Sequence, residues 1–174
     1  MCVDEMALYR SWRPNIWTGD LLEWQSKSAL GWLIRKFTGR DVNHTGLVIR
    51  FQNFDRERVY TLEALAAGVY PNLISRRLKN HRGKVFWLQL KPKFDCLRPA
   101  IAREGMKYVG IKYDYKSLLK QAVSRVSADA STFFCSELAY LVTLEAGLPI
   151  EKEYAPRPGG FGSLGIYKKR IRIY

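Results

Sequence analysis

The rhythm of apolar and polar positions changes near residue 92. Before it, short β-prone runs are separated by turn signals. Ile16 to Gln25 carries aromatics and leucines around a Gly19-Asp20 turn and predicts a strand centred on Leu21 and Leu22. Leu30, Leu33, Ile34 and Phe37 then recur at helical spacing, which predicts a short helix capped by Ser28 and ended by Gly39. His44 to Phe51 and Arg58 to Ala64 read as strands joined by the polar turn Gln52-Asn53-Phe54-Asp55, and another strand spans Val85 to Leu90. After Pro92 the period moves toward 3.6. Helices are expected over Arg98 to Val109, with proline in the first turn, over Tyr115 to Arg125, and over Phe133 to Ala146, closed by Gly147 and Pro149. Ile166 to Tyr174 alternates apolar and basic residues and predicts a terminal edge strand with an exposed cationic face.

Strands first and helices later, with hairpin-length connections, predict an α+β fold rather than a doubly wound one. The expected architecture is an antiparallel β-meander or partial barrel packed against helices, within a single domain over 1–174. With 174 residues, 47% apolar and 13% aromatic, the chain has enough hydrophobic mass for a packed core, which excludes a disordered polymer.

Charge narrows the partners. Lysine and arginine number 29 against 16 acids, a net charge of +13 that favours anionic partners: nucleic acid, anionic lipid or wall polymer. Between Ala64 and Phe94 there is no acid, while Arg76, Arg77, Lys79, Arg82, Lys84, Lys91 and Lys93 gather beside Phe86 and Trp87. The run matches no nucleic-acid reader motif, so nucleic acid is disfavoured, and a solvated or membrane-facing surface explains it equally well. Three cysteines, Cys2, Cys96 and Cys135, form no CxxC pair and no disulfide framework. With no secretory signal or spanning segment in the sequence, the expectation is a cytoplasmic chain, with phage-borne or non-classical export as the route to any wall substrate.

Several motifs fail. Gly160, Gly162 and Gly165 satisfy GxGxxG, but too little chain follows for a dinucleotide unit, and a flexible loop after Pro156 and Pro158 is expected instead. Two histidines and scattered cysteines give no metal-ligand spacing, so no cofactor or metal is expected, and neither His81 nor Cys96 has an evident role.

One constellation survives. On a period of two, His44 shares a face with Gly46 and Val48, so open space stands beside the imidazole. A turn centred on Asn53 and Phe54 would oppose Val48 to Val59, Gly46 to Thr61 and His44 to Glu63; a two-residue shift keeps histidine and glutamate on one face. Glu63, in an apolar setting, requires a partner, either that histidine or a basic neighbour in a salt bridge. Cys135 lies near the start of a helix whose inward face is Cys135, Ala139, Val142 and Ala146, where helix-end N–H groups favour a thiolate. An inert buried cysteine is the alternative. Cysteine, histidine and an orienting acid together form the activated-nucleophile arrangement of acyl transfer.

Gly19-Asp20-Leu21-Leu22, Asn43-His44-Thr45-Gly46, Leu62-Glu63-Ala64, Lys112-Tyr113-Asp114-Tyr115 and Phe134-Cys135-Ser136-Glu137-Leu138, in this order, resemble the circularly permuted NlpC-type papain-fold hydrolases, the YiiX-like group. The resemblance implies a permuted papain-like fold with Cys135 as nucleophile, His44 as general base and Glu63 as its orienter. It implies that Tyr113 lines the cleft or helps hold the oxyanion alongside the Cys135 backbone N–H. Asp114 is either part of that site or the N-cap of a helix. Asp20 and Gly19 read as structural. The implied substrate is a peptide or acyl-amide, with a peptidoglycan fragment foremost and lipid deacylation or acyl transfer as the variant; a non-catalytic basic module remains the reading from another class.

Overall fold

β1 (Leu21–Ser26) takes the middle of the sheet because it presents apolar residues to both faces. Leu22 and Trp24 point one way and Leu21 the other, all three buried. The structure is a computed structural model that describes residues 5–53, 56–65, 67–111, 130–151 and 154–174. β2 (His44–Asn53), β3 (Arg56–Leu65) and β4 (Gly68–Leu73) continue from β1 as a meander, while β5 (Gly83–Leu88) returns to its other edge and β6 (Ile171–Arg172) completes the order β4-β3-β2-β1-β5-β6. Every pairing is antiparallel, and the fold is α+β.

Helices cover both faces. α4 (Arg98–Lys107) and α5 (Ala130–Glu145) place Ile101, Leu138, Ala139 and Val142 against Leu21, Leu47, Ile49 and Leu62. On the opposite face, Tyr9 of α1 (Glu5–Trp12) and Ile74 and Leu78 of α3 (Ile74–Lys79) join Leu22, Trp24, Val48, Val59 and Trp87. Between β1 and β2, α2 (Ala29–Thr38) starts where the Ser28 hydroxyl accepts from the Gly31 N–H at 3.0 Å and stops at Gly39, whose φ of 64° suits glycine.

Several expectations need correction. Leu47 faces Leu62 and Val48 faces Thr61, so the β2–β3 register is two residues from the expected one; the hairpin is centred one residue later, between Asn53 and Arg56. β4, α1 and α3 were not anticipated. Pro71 disguises β4, yet an edge strand tolerates proline because its N–H side needs no partner. The sheet ends at β4 and β6 without closing among the described residues. α5 already includes Ala130, ahead of the start expected at Phe133. The glycine-rich segment is not a free loop: the Gly159 N–H bonds Glu23 at 2.9 Å, a 3-10 turn runs Phe161–Leu164, and Phe161 is buried. Two of the tail's four cations are paired, Arg170 with Asp41 and Glu23 and Arg172 with Glu5, while Lys168 and Lys169 remain exposed as expected. The helix expected over Tyr115 to Arg125 lies outside the described residues.

Candidate active site

His44 opens β2, directly opposite Trp24 on β1. Continuing the β2–β3 register places Gly46 opposite Glu63, so His44 and Glu63 are diagonal neighbours on one face. Gly46 makes the diagonal passable. A Cβ there would stand 2.0 Å from Thr61 Oγ1 and 3.2 Å from Glu63 Cγ, so only glycine lets the carboxylate lean toward the imidazole. The resulting contact is 3.0 Å from His44 Nε2 to Glu63 Oε2.

Glu63 is fully buried, and a lone carboxylate there would be costly. Two cations offset the cost. Besides His44, the Arg77 Nε donates to Oε2 at 3.3 Å and Oε1 at 3.4 Å, and its guanidinium lies over the Trp24 ring at 5.1 Å. Burial pushes the Glu63 pKa up, but the His44 hydrogen bond and charge, followed by Arg77, outweigh it and hold the group below its ordinary value. The expected histidine partner and the expected salt bridge are therefore both present. Arg77 was legible only as one member of a basic run, and its inward aim depends on how α3 follows β4.

Cys135, on α5, supplies the third group. Its thiol is 1% exposed and hydrogen-bonded to the His44 side chain. With Nε2 given to Glu63, Nδ1 is the nitrogen left for the thiol. Desolvation pulls the imidazolium down, yet the charge and hydrogen bond of Cys135, then those of Glu63, overcome it and raise the His44 pKa to about 10. The resting histidine is thus a cation beside the buried Glu63 carboxylate. His44 keeps 13% of its side chain exposed.

The later start expected for α5 would have put Cys135 among the free N–H groups of the first turn. Cys135 is instead the sixth residue from Ala130, beyond the four unpaired donors, so its own N–H is not an available oxyanion donor. Stabilisation of sulfur charge then falls chiefly to His44. Tyr113 and Asp114 lie outside the described residues. Asp20 and Gly19 are in the framework: Asp20 accepts from Trp17 N, Trp87 Nε1, Leu90 N and Arg98 Nη1. Trp87 is therefore core and unavailable for base stacking. His81 packs edge-on against Trp24 at 5.1 Å, Cys96 is a free exposed thiol, and no helix among the described residues is long and apolar enough to cross a membrane.

No family model matches the chain, and no curated protein does. Among solved structures it is similar in fold to the metalloprotein yiiX from Escherichia coli O157:H7, DUF1105, with a TM-score of 0.56 and 22% identity. The match covers 75% of this chain and 66% of that one, just under two thirds of its length. The neighbour's description raises the question of a metal. Among the described residues, no three His, Cys, Asp or Glu side chains stand close enough to share a cation. Glu63 is already held between His44 and Arg77, so the donor set here does not fit a resident metal.

Proposed function

We propose that this chain is a cysteine hydrolase of permuted papain-like, NlpC-type architecture that cleaves an amide bond, in a cell-wall peptide or another small peptide, through an acyl-enzyme on Cys135. The observation that carries this reading is the single imidazole hydrogen-bonded to both the Cys135 thiol and the buried Glu63 carboxylate. The permuted architecture is supported by chain order, because the strands bearing His44 and Glu63 precede the cysteine helix.

The chemistry follows from these groups. The Cys135 sulfur attacks the amide carbonyl, and the C–N bond breaks as the His44 imidazolium gives its proton to the departing amine. Water then attacks the thioester while neutral His44 takes its proton, releasing the carboxylic acid and restoring the thiol. Glu63 holds the ring orientation and the imidazolium charge through both steps.

A lipid acyl donor is the second reading, favoured by one feature. Trp32 and Leu33 stand exposed on α2, with Lys36 over the Trp32 ring at 5.0 Å, as on a helix that rests at an anionic lipid interface. Incubating the purified protein with muropeptides and with phospholipid vesicles separates the two by which acyl group is found on Cys135. Cys135→Ala is expected to abolish turnover of either substrate; full activity in that variant would sink both readings.

A further inference from the structure

Where β4 runs into α3, a cavity of about 210 Å³ is lined by Asn72, Leu73, Arg76, Arg77 and Asn80. The lining offers hydrogen-bond donors and no carboxylate. Arg77 spends its Nε on Glu63, and its two terminal nitrogens take no hydrogen bond among the described residues. Arg76 is exposed and has no ion pair among the described residues. The Asn72 Nδ2, behind the lining, is buried without a partner. The nearest stretch of sequence, Ala64 to Phe94, contains no acid.

We propose that this corner is a binding site for a small oxyanion, a phosphate or carboxylate group, held by Arg76 and Arg77 with the carboxamide of Asn80. Guanidinium forks match the paired oxygens of such groups. Glu63 does not repel it strongly, because its charge is already shared between His44 and the far side of Arg77. The site stands apart from the hydrolase reading and holds whether or not Cys135 reacts. It is nevertheless linked to His44, since the guanidinium that grips the anion also grips Glu63.

The test is a titration of the whole protein with inorganic phosphate and, separately, with acetate, at ionic strength held constant with chloride, following the arginine Nε–H resonances. Saturable shifts are expected for at least one anion, and which one saturates identifies the ligand as phosphate-bearing or carboxylate-bearing. Arg76→Gln should weaken that binding by about tenfold or more, the loss expected for a charged hydrogen bond. Paired replacement Lys91→Gln with Lys93→Gln, at basic residues outside the cavity, should leave it unchanged. Non-saturating shifts with both anions, or Arg76→Gln binding as tightly as the parent, would overturn the proposal.

Discussion

Two carboxylates, Asp20 and Glu63, are both completely buried against the same sheet, and they are held in opposite ways. Asp20 receives two backbone N–H groups, an indole and the permanently charged Arg98, and the indole and backbone partners carry no charge of their own. Burial dominates there and raises its pKa. Glu63 has no backbone donor among its described partners; it faces one permanent cation and one titratable imidazole, and its pKa is lowered. The first arrangement ties three separated stretches of chain together. The second leaves a proton free to move between His44 and its other neighbour, Cys135. Burial of a charge alone therefore says nothing about chemistry, whereas the nature of its partners does.

Glu63→Gln strikes the sharper side of this comparison. A glutamine can donate an N–H to His44 Nε2, forcing the tautomer whose proton sits on the nitrogen needed by sulfur. Alkylation of Cys135 by iodoacetamide at neutral pH, with Cys2 and Cys96 replaced by serine, should slow by about 10²-fold to 10⁴-fold. An unchanged rate would place Glu63 with Asp20 as a structural acid. Asp20→Asn should do the reverse: denaturant unfolding should show a loss of about 1–3 kcal/mol, because the Trp17, Leu90 and Trp87 donors lose their charged acceptor and Arg98 is left with Asp95 alone as its counter-ion. The folded fraction should still alkylate at the parental rate.

Gly46→Ala tests the space between the two strands. Its Cβ meets Thr61 Oγ1 at 2.0 Å, so the expected cost is about 1–3 kcal/mol of stability, with slower alkylation as Glu63 is displaced. Equal stability and equal reactivity would show that the strands can part without consequence. The remaining expected effect is in pH dependence. The His44 pKa is raised to about 10 from 6.5, so its contribution is full below pH 6.5 and is lost as pH rises through about 10. The lowered Glu63 pKa works at the other end, its contribution being present above pH 4.5 and lost as pH falls through the folded value. Unfolding free energy should thus decline from pH 6.5 to 10, with a flatter profile in His44→Gln; parallel profiles would contradict the charged imidazole.

What was legible in the sequence was local or periodic. The Ser28 cap, the Gly39 stop and the proline-led α4 depend on a few adjacent residues. The shared face of His44 and Glu63 survived a register two residues away from expectation, because a two-residue slip preserves parity. Matters decided by distant packing were not legible. Arg77 looked like its neighbour Arg76, and only the approach of α3 to β3 turns one inward and leaves the other out. β4 was hidden by Pro71, which argues against a strand anywhere but at a sheet edge. The tail's alternation was real, but Glu5, Asp41 and Glu23, far away in sequence, determine that its arginines are paired.

The central place of β1 also sets an order of events during synthesis. Its first partner, β2, follows within a few tens of residues, but its second edge stays open until β5 has emerged, and Asp20 waits for Arg98. Glu23 waits longer still, for Gly159 and Arg170. A nascent chain of the first hundred residues would thus hold a hairpin array with the Glu23 carboxylate unclaimed, exposed to wrong partners until Gly159 and Arg170 emerge. Their arrival, long after β1, is where chaperone dependence and misassembly should concentrate.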